Sequence, residues 1–189
     1  MRKLKLQVQV SIDGFIAGPN NEMDWMAFDW DDELKRFVTT LTEPVDCIVL
    51  GRNLAEGFIP HWASVAADPA NPDVMAGKKF TDTHKVVFTK TLDESPWANT
   101  VLATGGLVDE ITTLKKQAGQ DIIVYGGAQF VTSLIQHNLI DDYYLFVNPA
   151  ALGNGKSIFT DRTKLTLTNA KAYDCGIVVQ HYQPTTSDV

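Results

Sequence analysis

The chain lacks the residues that several common classes of protein need. Among its 189 residues only two are cysteines, Cys47 and Cys175, which excludes a disulfide framework and a four-cysteine zinc site. Its four histidines lie far apart and no two have the spacing of metal ligands on one helix, so we expect no metal site. The sequence also has no run of about 18 apolar residues, the length that a membrane-spanning helix needs.

Positive charge is scarce as well. Sixteen lysines and arginines stand against 23 acidic residues, a net charge of −7, which argues against general binding to nucleic acid or to anionic membranes. The first residues alternate between charged and apolar side chains and do not form a signal peptide, so we expect a cytoplasmic protein. No G-x-S-x-G motif occurs, and no G-x-G-x-x-G follows the first strand, which excludes a serine hydrolase of that type and a standard Rossmann dehydrogenase.

The patterns that are present predict alternating strands and helices. Residues 3–12 alternate between apolar and polar side chains, as expected of a strand, and residues 45–50 form a short apolar run typical of a strand buried on both faces. Further strands are predicted at 85–89, 100–103, 121–125, 143–147, 165–172 and 177–182. Helices are predicted at 107–118, at 128–137 and in the segment that Asp31 and Asp32 open. The proline-rich residues 58–82 are expected to run over the surface with a single helical turn.

This order of elements predicts an α/β fold with three layers, in which a mainly parallel central sheet has helices on both faces. The last three strands follow one another without helices, so the C-terminal edge of the sheet should be antiparallel. With no composition break, we expect a single domain over residues 1–183 and a tail over residues 184–189.

The segment Tyr125-Gly126-Gly127-Ala128-Gln129 has the features of a phosphate-binding turn. A short apolar strand stops at two glycines, and an amphipathic helix starts directly after them. Paired glycines let backbone N–H groups approach an anion, and the positive end of the helix dipole points to the same place. The segment therefore predicts a site for a pyrophosphate, although an ordinary tight turn would have the same sequence.

Polar residues follow other predicted strands directly. Gly51 and Arg52 follow one strand, Thr89 and Lys90 follow another, and Asp13 ends the first. In open parallel sheets ligands bind beyond the carboxyl ends of the strands. The guanidinium of Arg52 suits a phosphate monoester such as the 2′-phosphate of NADP. As single residues these cations could equally be solvated surface groups, but together they predict a dinucleotide site.

In their order, these motifs resemble those of the dihydrofolate reductase superfamily. The closest branch is the reductase domain of bacterial riboflavin biosynthesis, the RibD C-terminal type. The resemblance extends from about Leu4 to Tyr182, and the segments that carry it are residues 11–18, 48–52, 88–92, 125–127, 139–141 and 153–159.

The resemblance implies a reductase with NADPH as hydride donor and a substrate that is a pterin-like or ribosylaminopyrimidine heterocycle, or another small carbonyl or imine. It also implies a homodimer and a cis peptide between the two glycines at the pyrophosphate. The residues implied to surround the cofactor are Ile16 and Ala17 at the nicotinamide, Arg52, Asn53, Thr89 and Lys90 at the adenosine 2′-phosphate, and 125–129 at the pyrophosphate. Gly51, which precedes Arg52, is also expected to contact the cofactor. The family often has Thr in place of Leu54 and Ser-Arg in place of residues 89–90, so NADH remains an alternative.

Three carboxylates are candidates for delivering the proton that must accompany a hydride. Asp32 and Glu33 lie at the start of a helix where the folate branch has its acid, and Asp13 ends the first strand. Acids in a first helical turn also complement the helix dipole, and Asp before Gly often forms a turn, so structural roles remain open. Trp25 and Trp30, in the preceding loop, would either stack on a heterocycle or anchor the loop.

Three functions are therefore considered. The first, which we favour, is an NADPH-dependent reductase. The second is a nucleotide-binding protein without turnover, and the third is a homo-oligomeric scaffold that has neither activity. Binding of a reduced nicotinamide cofactor distinguishes the third from the other two, and its oxidation distinguishes the first from the second.

Overall fold

A computed structural model describes residues 1–185, which form eight strands and five helices. In chain order the elements are β1 (Leu4–Val10), α1 (Asp32–Thr42), β2 (Val45–Gly51), α2 (Arg52–Ala67), α3 (Val74–Asp82), β3 (His84–Phe88), β4 (Thr100–Ala103), α4 (Leu107–Lys116), β5 (Asp121–Val124), α5 (Ala128–Gln136), β6 (Asp142–Val147), β7 (Leu165–Ala172) and β8 (Val178–Pro184). The predicted strands and the helices α1, α4 and α5 are thus present, with ends shifted by a few residues.

All eight strands belong to one sheet with the order β4-β3-β2-β5-β1-β6-β8-β7. The first six strands in this order, β4, β3, β2, β5, β1 and β6, pair in parallel. Strand β8 is antiparallel to both β6 and β7. This confirms the predicted fold class. The antiparallel edge arises because β7 leads through a short turn into β8, which then lies between β6 and β7 and runs opposite to both.

Helices cover both faces of the sheet. On one face α4 and α5 pack on the apolar side of β1, with Leu6, Val8, Ile111 and Leu134 in one core. On the other face there are two separate covers. Helix α1 packs on β6 and β8, and α2 with α3 packs on β2, β3 and β5. Because β1 lies between these two groups of strands, its second face forms the floor between the two covers.

The prediction for residues 58–82 is wrong, since this region contains most of α2 and all of α3. Pro60 lies inside α2 and removes one backbone donor there, which made a helix look unfavourable from the sequence. Aromatic packing outweighs this cost: Phe58 lies 5.3 Å and Trp62 4.3 Å from the ring centre of Phe80. Tertiary contacts of this kind commonly override local propensity.

The predicted tail begins too early in the chain. Pro184 is the last residue of β8 and pairs with Leu165 of β7, and the backbone N–H of Thr185 donates to the carbonyl of Lys164 at 3.2 Å. Proline is tolerated at such a strand end because no ladder hydrogen bond depends on its missing N–H. The rest of the predicted tail, residues 186–189, lies outside the described residues.

None of the helices within residues 1–185 is long and apolar enough to cross a bilayer. The same residues contain no group of three or more histidine, cysteine or acidic side chains placed to hold a metal ion. Cys47 is buried and Cys175 half-buried, and both are free thiols.

Candidate functional site

Four of the segments singled out in the sequence lie side by side at one edge of the sheet. Strands β3, β2, β5 and β1 are consecutive neighbours, and all four are parallel. Their carboxyl ends lead into residues 89–90, 51–52, 126–127 and 13–14 respectively. We call this row of turns the carboxyl rim. The parallel sheet therefore brings together segments that are up to 113 residues apart in the sequence.

The turn after β5 is built by the two glycines. Gly126 has φ 151° and Gly127 has φ 84°, a region that residues with side chains rarely adopt. The implied cis peptide is wrong, because residues 1–185 contain no cis peptide bond and the positive φ angles redirect the chain instead. A Cβ on Gly127 would lie 3.8 Å from Cβ of Leu54 and the same distance from Cβ of Phe130. The turn is thus open to a ligand yet lined by α2 on one side.

The N-terminus of α5 has no cap of its own. Gly127 is the N-cap residue and has no side chain, and the first-turn N–H groups donate to no side chain among the described residues. The first N–H with an intrahelical partner is that of Val131, which donates to the carbonyl of Gly127 at 2.9 Å. The preceding N–H groups and the positive end of the dipole remain free for an anion. These features fit the pyrophosphate of a dinucleotide.

Arg52 and the turn after β3 are in direct contact. One guanidinium nitrogen of Arg52 donates to Oγ1 of Thr91 at 2.5 Å, and its Nε donates to Glu56 at 2.8 Å. Oγ1 of the buried Thr89 accepts from the backbone N–H groups of Thr91 and Leu92, both at 3.2 Å, which holds this turn in place. The remaining N–H groups of the guanidinium are available to a phosphate group.

The neighbouring Asn53 and Lys90 are exposed next to this pair. The structure therefore places all four residues that were predicted for the 2′-phosphate at adjacent strand ends. Their role in binding remains a prediction.

Ile16 and Ala17 lie just beyond the end of β1 and are both 8% exposed. They pair with the loop before β7: the N–H of Ile16 donates to the carbonyl of Lys156, and the N–H of Lys156 donates to the carbonyl of Ala17, both at 2.8 Å. A Cβ on Gly155 would collide with this carbonyl, which explains the glycine there. The segment is rigidly held at the carboxyl rim, as a wall for a flat ring would need to be.

Asp13 is fully committed to hydrogen bonds within the chain. Its carboxylate accepts from Oγ of Ser11 and from the N–H of Gly153, both at 2.6 Å, and from the N–H of Leu152 at 3.1 Å. These bonds, that of Ser11 above all, lower the pKa of Asp13 to about 2. The group is therefore ionised at neutral pH and fixes the loop at residues 152–153, an arrangement that favours positioning over proton delivery.

Asp32 and Glu33 lie in the first turn of α1 and are not held by any of the carboxyl-rim turns described above. Both are exposed on α1, where Asp32 shares the outer face with Arg36 and Glu33 forms an ion pair with Lys171 of β7. The cap of this helix is Asp31, whose side chain accepts from the N–H of Leu34 at 2.8 Å. Proton delivery by Asp32 or Glu33 receives no support from this placement.

The two loop tryptophans are held by the protein itself. The Trp30 ring stacks on Phe146 at 6.0 Å, and its Nε1 donates to the carbonyl of Ala27 at 2.8 Å. Nε1 of Trp25 donates to the carbonyl of Glu22 at 3.1 Å. For Trp30 the contacts are those expected of an anchor for the loop.

Sequence reasoning missed the polar face of β1. Lys5, Gln7 and Gln9 project to the side opposite the apolar core, on the part of the sheet between α1 and α2, where Lys5 and Gln7 are buried. We call this polar face of the strand the β1 groove. A central parallel strand covered on both faces should be apolar on both. The strict alternation along this strand was the signal that could have revealed the groove.

Two shallow depressions elsewhere in the described residues are less suited to a ligand. One lies at the amino ends of the strands beside Arg2 and Gly119, where Arg2 is already paired with Asp46 and with the carbonyl of Gln120. The other lies on the charged outer face of α1.

Two proteins of Bacillus subtilis (strain 168) are similar to this chain along nearly its whole length. "Uncharacterized protein YyaP" is 31% identical over 182 residues, covering 94% of this chain and 92% of the relative. "Uncharacterized protein YwjB" is 29% identical over 185 residues, covering 96% of this chain and 97% of the relative.

Solved structures share the fold at low sequence identity. A putative riboflavin biosynthesis protein from Shewanella sp. PV-4 superposes with a TM-score of 0.70 at 21% identity, covering 98% of this chain and 99% of the other. A diaminohydroxyphosphoribosylaminopyrimidine deaminase/5-amino-6-(5-phosphoribosylamino)uracil reductase from Thermotoga maritima superposes with a TM-score of 0.69 at 18% identity. That match covers 97% of this chain but 57% of the Thermotoga protein.

The family match covers nearly the whole chain. The sequence model of the RibD C-terminal domain matches residues 2–179, which include every segment of the site described above. The chain belongs to the RibD C-terminal domain family.

Proposed function

We propose that this chain is an NADPH-dependent reductase of a pterin-like or ribosylaminopyrimidine heterocycle, or of another small carbonyl or imine substrate. The observation that carries the proposal is the uncapped N-terminus of α5 at Gly126 and Gly127, next to Arg52 and Thr89 at the neighbouring strand ends. Family membership supports it, as does the reductase named in the Thermotoga protein.

In this proposal each part of the cofactor has its own residues. The first turn of α5, at Ala128 and Gln129, would hold the pyrophosphate, and Tyr125 and Leu54 would flank it. The 2′-phosphate would lie at Gly51, Arg52, Asn53, Thr89 and Lys90, and the nicotinamide would lie against Ile16 and Ala17. When bound, NADPH would supply the hydride. The protein's part is to hold the reacting ring in the β1 groove and to shield it from water.

A proton must reach the substrate atom next to the one that accepts the hydride. Asp13 is ionised and bound to Ser11, Leu152 and Gly153, and Asp32 and Glu33 lie on other faces of α1. We therefore propose that Asp13 positions the loop at the end of β1 and that water supplies the proton. Replacing Asp32 with Asn or Glu33 with Gln should then leave kcat unchanged.

The proposal is tested by the melting temperature of the full chain with NADPH or NADH, followed by oxidation of the bound cofactor with a panel of heterocycles. A ligand at a hundredfold excess over its Kd stabilises the fold by about 2.7 kcal/mol, which for a domain of this size raises Tm by roughly 5–10 °C. If neither nucleotide raises Tm, the proposed function is wrong.

The placement of Asp32 and Glu33 favours one second candidate. If neither Asp32 nor Glu33 delivers a proton, the chain could bind the nucleotide without turnover. A rise in Tm with NADPH, together with no oxidation across the panel, would support that candidate. The predicted homodimer and cytoplasmic location also remain proposals, and the mass in solution tests the former.

A further inference from the structure

Gln7 has an unusual position in the middle of β1. Its side chain is 8% exposed, and its Oε1 has no access to solvent and no hydrogen-bond partner. Within residues 1–185 it is the one buried side-chain nitrogen or oxygen for which this holds. An unpaired buried amide is unfavourable, whereas an apolar residue of the same shape would avoid the cost.

The neighbouring polar residues of the β1 groove do have partners. Lys5, two residues before Gln7, pairs with Asp121 at 2.7 Å and donates to the carbonyl of Leu41 at 3.3 Å. Gln9, two residues after it, accepts from Nδ2 of the fully buried Asn148 at 2.6 Å. The unpaired amide is therefore a local feature of Gln7 and not of the groove as a whole.

The neighbour of Gln7 on β6 is aromatic. Gln7 pairs with Tyr144 of β6, while the pairing of β1 with β5 ends one residue earlier, at Leu6 and Val124, and Tyr125 follows Val124. Burial raises the pKa of Tyr125 above its usual range. Burial is also the main reason why the pKa of Tyr144 is raised to about 12. Both phenols are therefore neutral at neutral pH. Tyr144 stacks on His181 at 4.2 Å, and Tyr125 on Phe58 at 5.5 Å.

Gln7 lies between the two helical covers and is buried there, although it belongs to neither of their apolar cores. Helix α1 packs on Phe146 and Val179, and α2 packs on Ile48 and Ile123, on either side of β1. The strand leads directly to Asp13 and then to Ile16, the segment proposed for the nicotinamide. Gln7 is thus an unpaired buried amide on the strand that leads to the segment proposed for the nicotinamide.

We propose that Gln7 is the specificity-determining residue for the substrate, and that it pairs with an uncharged cyclic amide edge, the –NH–C=O of a planar heterocycle. This rests on the function proposed above. A primary amide offers a donor and an acceptor side by side, which complements the acceptor and donor of a cyclic amide. If the Gln7 amide is flipped by half a turn, its oxygen and nitrogen exchange places, and the atom in the shielded position still needs a hydrogen-bond partner. A charged group at this position would lose its hydration, and Lys5, the cation on this face of β1, is already paired with Asp121.

The test compares lumazine, a pterin-like ring with cyclic amide edges, with dimethyllumazine, in which methyl groups replace both N–H groups. Binding is followed by fluorescence in the presence of saturating NADPH. Gln7→Leu should lower the affinity for lumazine by about tenfold, because one buried hydrogen-bonded pair is lost. The affinity for dimethyllumazine should stay unchanged. The same variant should bind NADPH like the wild type and should melt at a higher temperature, since the unpaired amide is gone.

Gln9→Leu is the matched control, because this glutamine lies on the same face but is already paired with Asn148. It should lower Tm and keep the preference for lumazine. A lower Tm of Gln7→Leu with unchanged lumazine binding would show an amide completed by structural water, and would overturn the inference. A loss of NADPH affinity would assign Gln7 to the carboxamide of the cofactor, and would overturn the assignment to substrate.

Failure of this inference is separable from failure of the proposed function. If the wild type binds NADPH but does not prefer lumazine over dimethyllumazine, the inference is wrong and the reductase proposal stands. If the wild type binds neither NADPH nor NADH, the proposed function itself is wrong, which is seen without any variant of Gln7.

Discussion

The N-termini of α1 and α5 lie at the same edge of the sheet but are capped in different ways. Helix α1 is closed by Asp31, whose carboxylate accepts from the N–H of Leu34 at 2.8 Å and from that of Cys175 at 3.0 Å. Helix α5 begins at Gly127, and no side chain of the described residues bonds to its first turn. The positive end of the α1 dipole is therefore stabilised by a carboxylate of the protein, whereas the positive end of the α5 dipole has no such partner among the described residues.

This difference indicates which end has a structural role and which has a binding role. An acidic cap stabilises a helix and occupies the place where an external anion would bind. Its hydrogen bond with Cys175 also ties α1 to the turn between β7 and β8. At α5 the same stabilisation is absent, which is reasonable if a pyrophosphate supplies it when bound.

The largest expected effect comes from giving α5 the kind of charge that α1 has. Gly127→Asp places a carboxylate where the pyrophosphate is proposed to bind. Since like charges brought together cost several kcal/mol, the affinity for both NADPH and NADH should fall by more than about a hundredfold. Titration of Tm against each cofactor measures the effect.

The control for this variant is Gly127→Asn, which has the same size and the same positive φ but no charge. Both variants bear a backbone cost of about 1–2 kcal/mol, so both should lose a similar amount of stability. A bulky Gly127→Leu should also abolish binding while the fold survives. Cofactor binding by Gly127→Asp at the wild-type level would contradict the proposed cradle.

The next effect separates the two cofactors. Arg52→Ala removes the guanidinium proposed for the 2′-phosphate, and because its side chain is 39% exposed we expect about a tenfold loss of NADPH affinity, at the lower end for charged hydrogen bonds. NADH, which lacks this phosphate, should bind as before. Isothermal titration with both cofactors gives the ratio.

Two controls sharpen the result for Arg52. Arg36→Ala removes an exposed arginine from the outer face of α1 and should change neither affinity. Glu56→Gln removes the acidic partner of Arg52 and should favour NADPH. Equal losses of NADPH and NADH in Arg52→Ala would remove Arg52 from the 2′-phosphate.

The sequence was sufficient to predict where each turn of the carboxyl rim lies, because a parallel sheet brings all its carboxyl strand ends to one edge. It was misleading where tertiary packing decides the outcome. Pro60 argued against a helix in α2, yet Phe58, Trp62 and Phe80 stabilise one by packing together. Such contacts join residues whose spacing in the sequence has no regular period.

The side chains of the candidate site were harder to predict than its backbone. Asp32 and Glu33 have the residue types of a proton donor, but the rotation of α1 about its axis turns them towards solvent and Lys171. Gln7 was visible only as a polar residue in an alternating strand. Its burial depends on α1 and α2, which cover the sheet on both sides of β1.

A smaller effect is expected at the capped helix. Asp31→Ala removes the side-chain acceptor of Leu34 and Cys175, so Tm should fall by a few degrees while cofactor affinity stays unchanged. Asp32→Ala, one residue further along and exposed, is the matched control and should leave Tm as it is. A loss of NADPH affinity in Asp31→Ala would contradict the division of roles between α1 and α5.

The smallest effect concerns Asp13, which closes the β1 end of the carboxyl rim as Asp31 closes α1. Its bonds with Ser11, Gly153 and Leu152 lower its pKa in the folded protein from 3.8 to about 2. A carboxyl group with a lowered folded pKa stabilises the fold fully above its unfolded pKa, and this contribution is lost as the pH falls from about 4 to about 2. Asp13→Asn should therefore flatten the decline of Tm over this interval, with Asp24→Asn as the control that alters a charge in the neighbouring loop. If Asp13 instead donated a proton, its replacement would change the pH profile of turnover and leave the acid dependence of Tm unaltered.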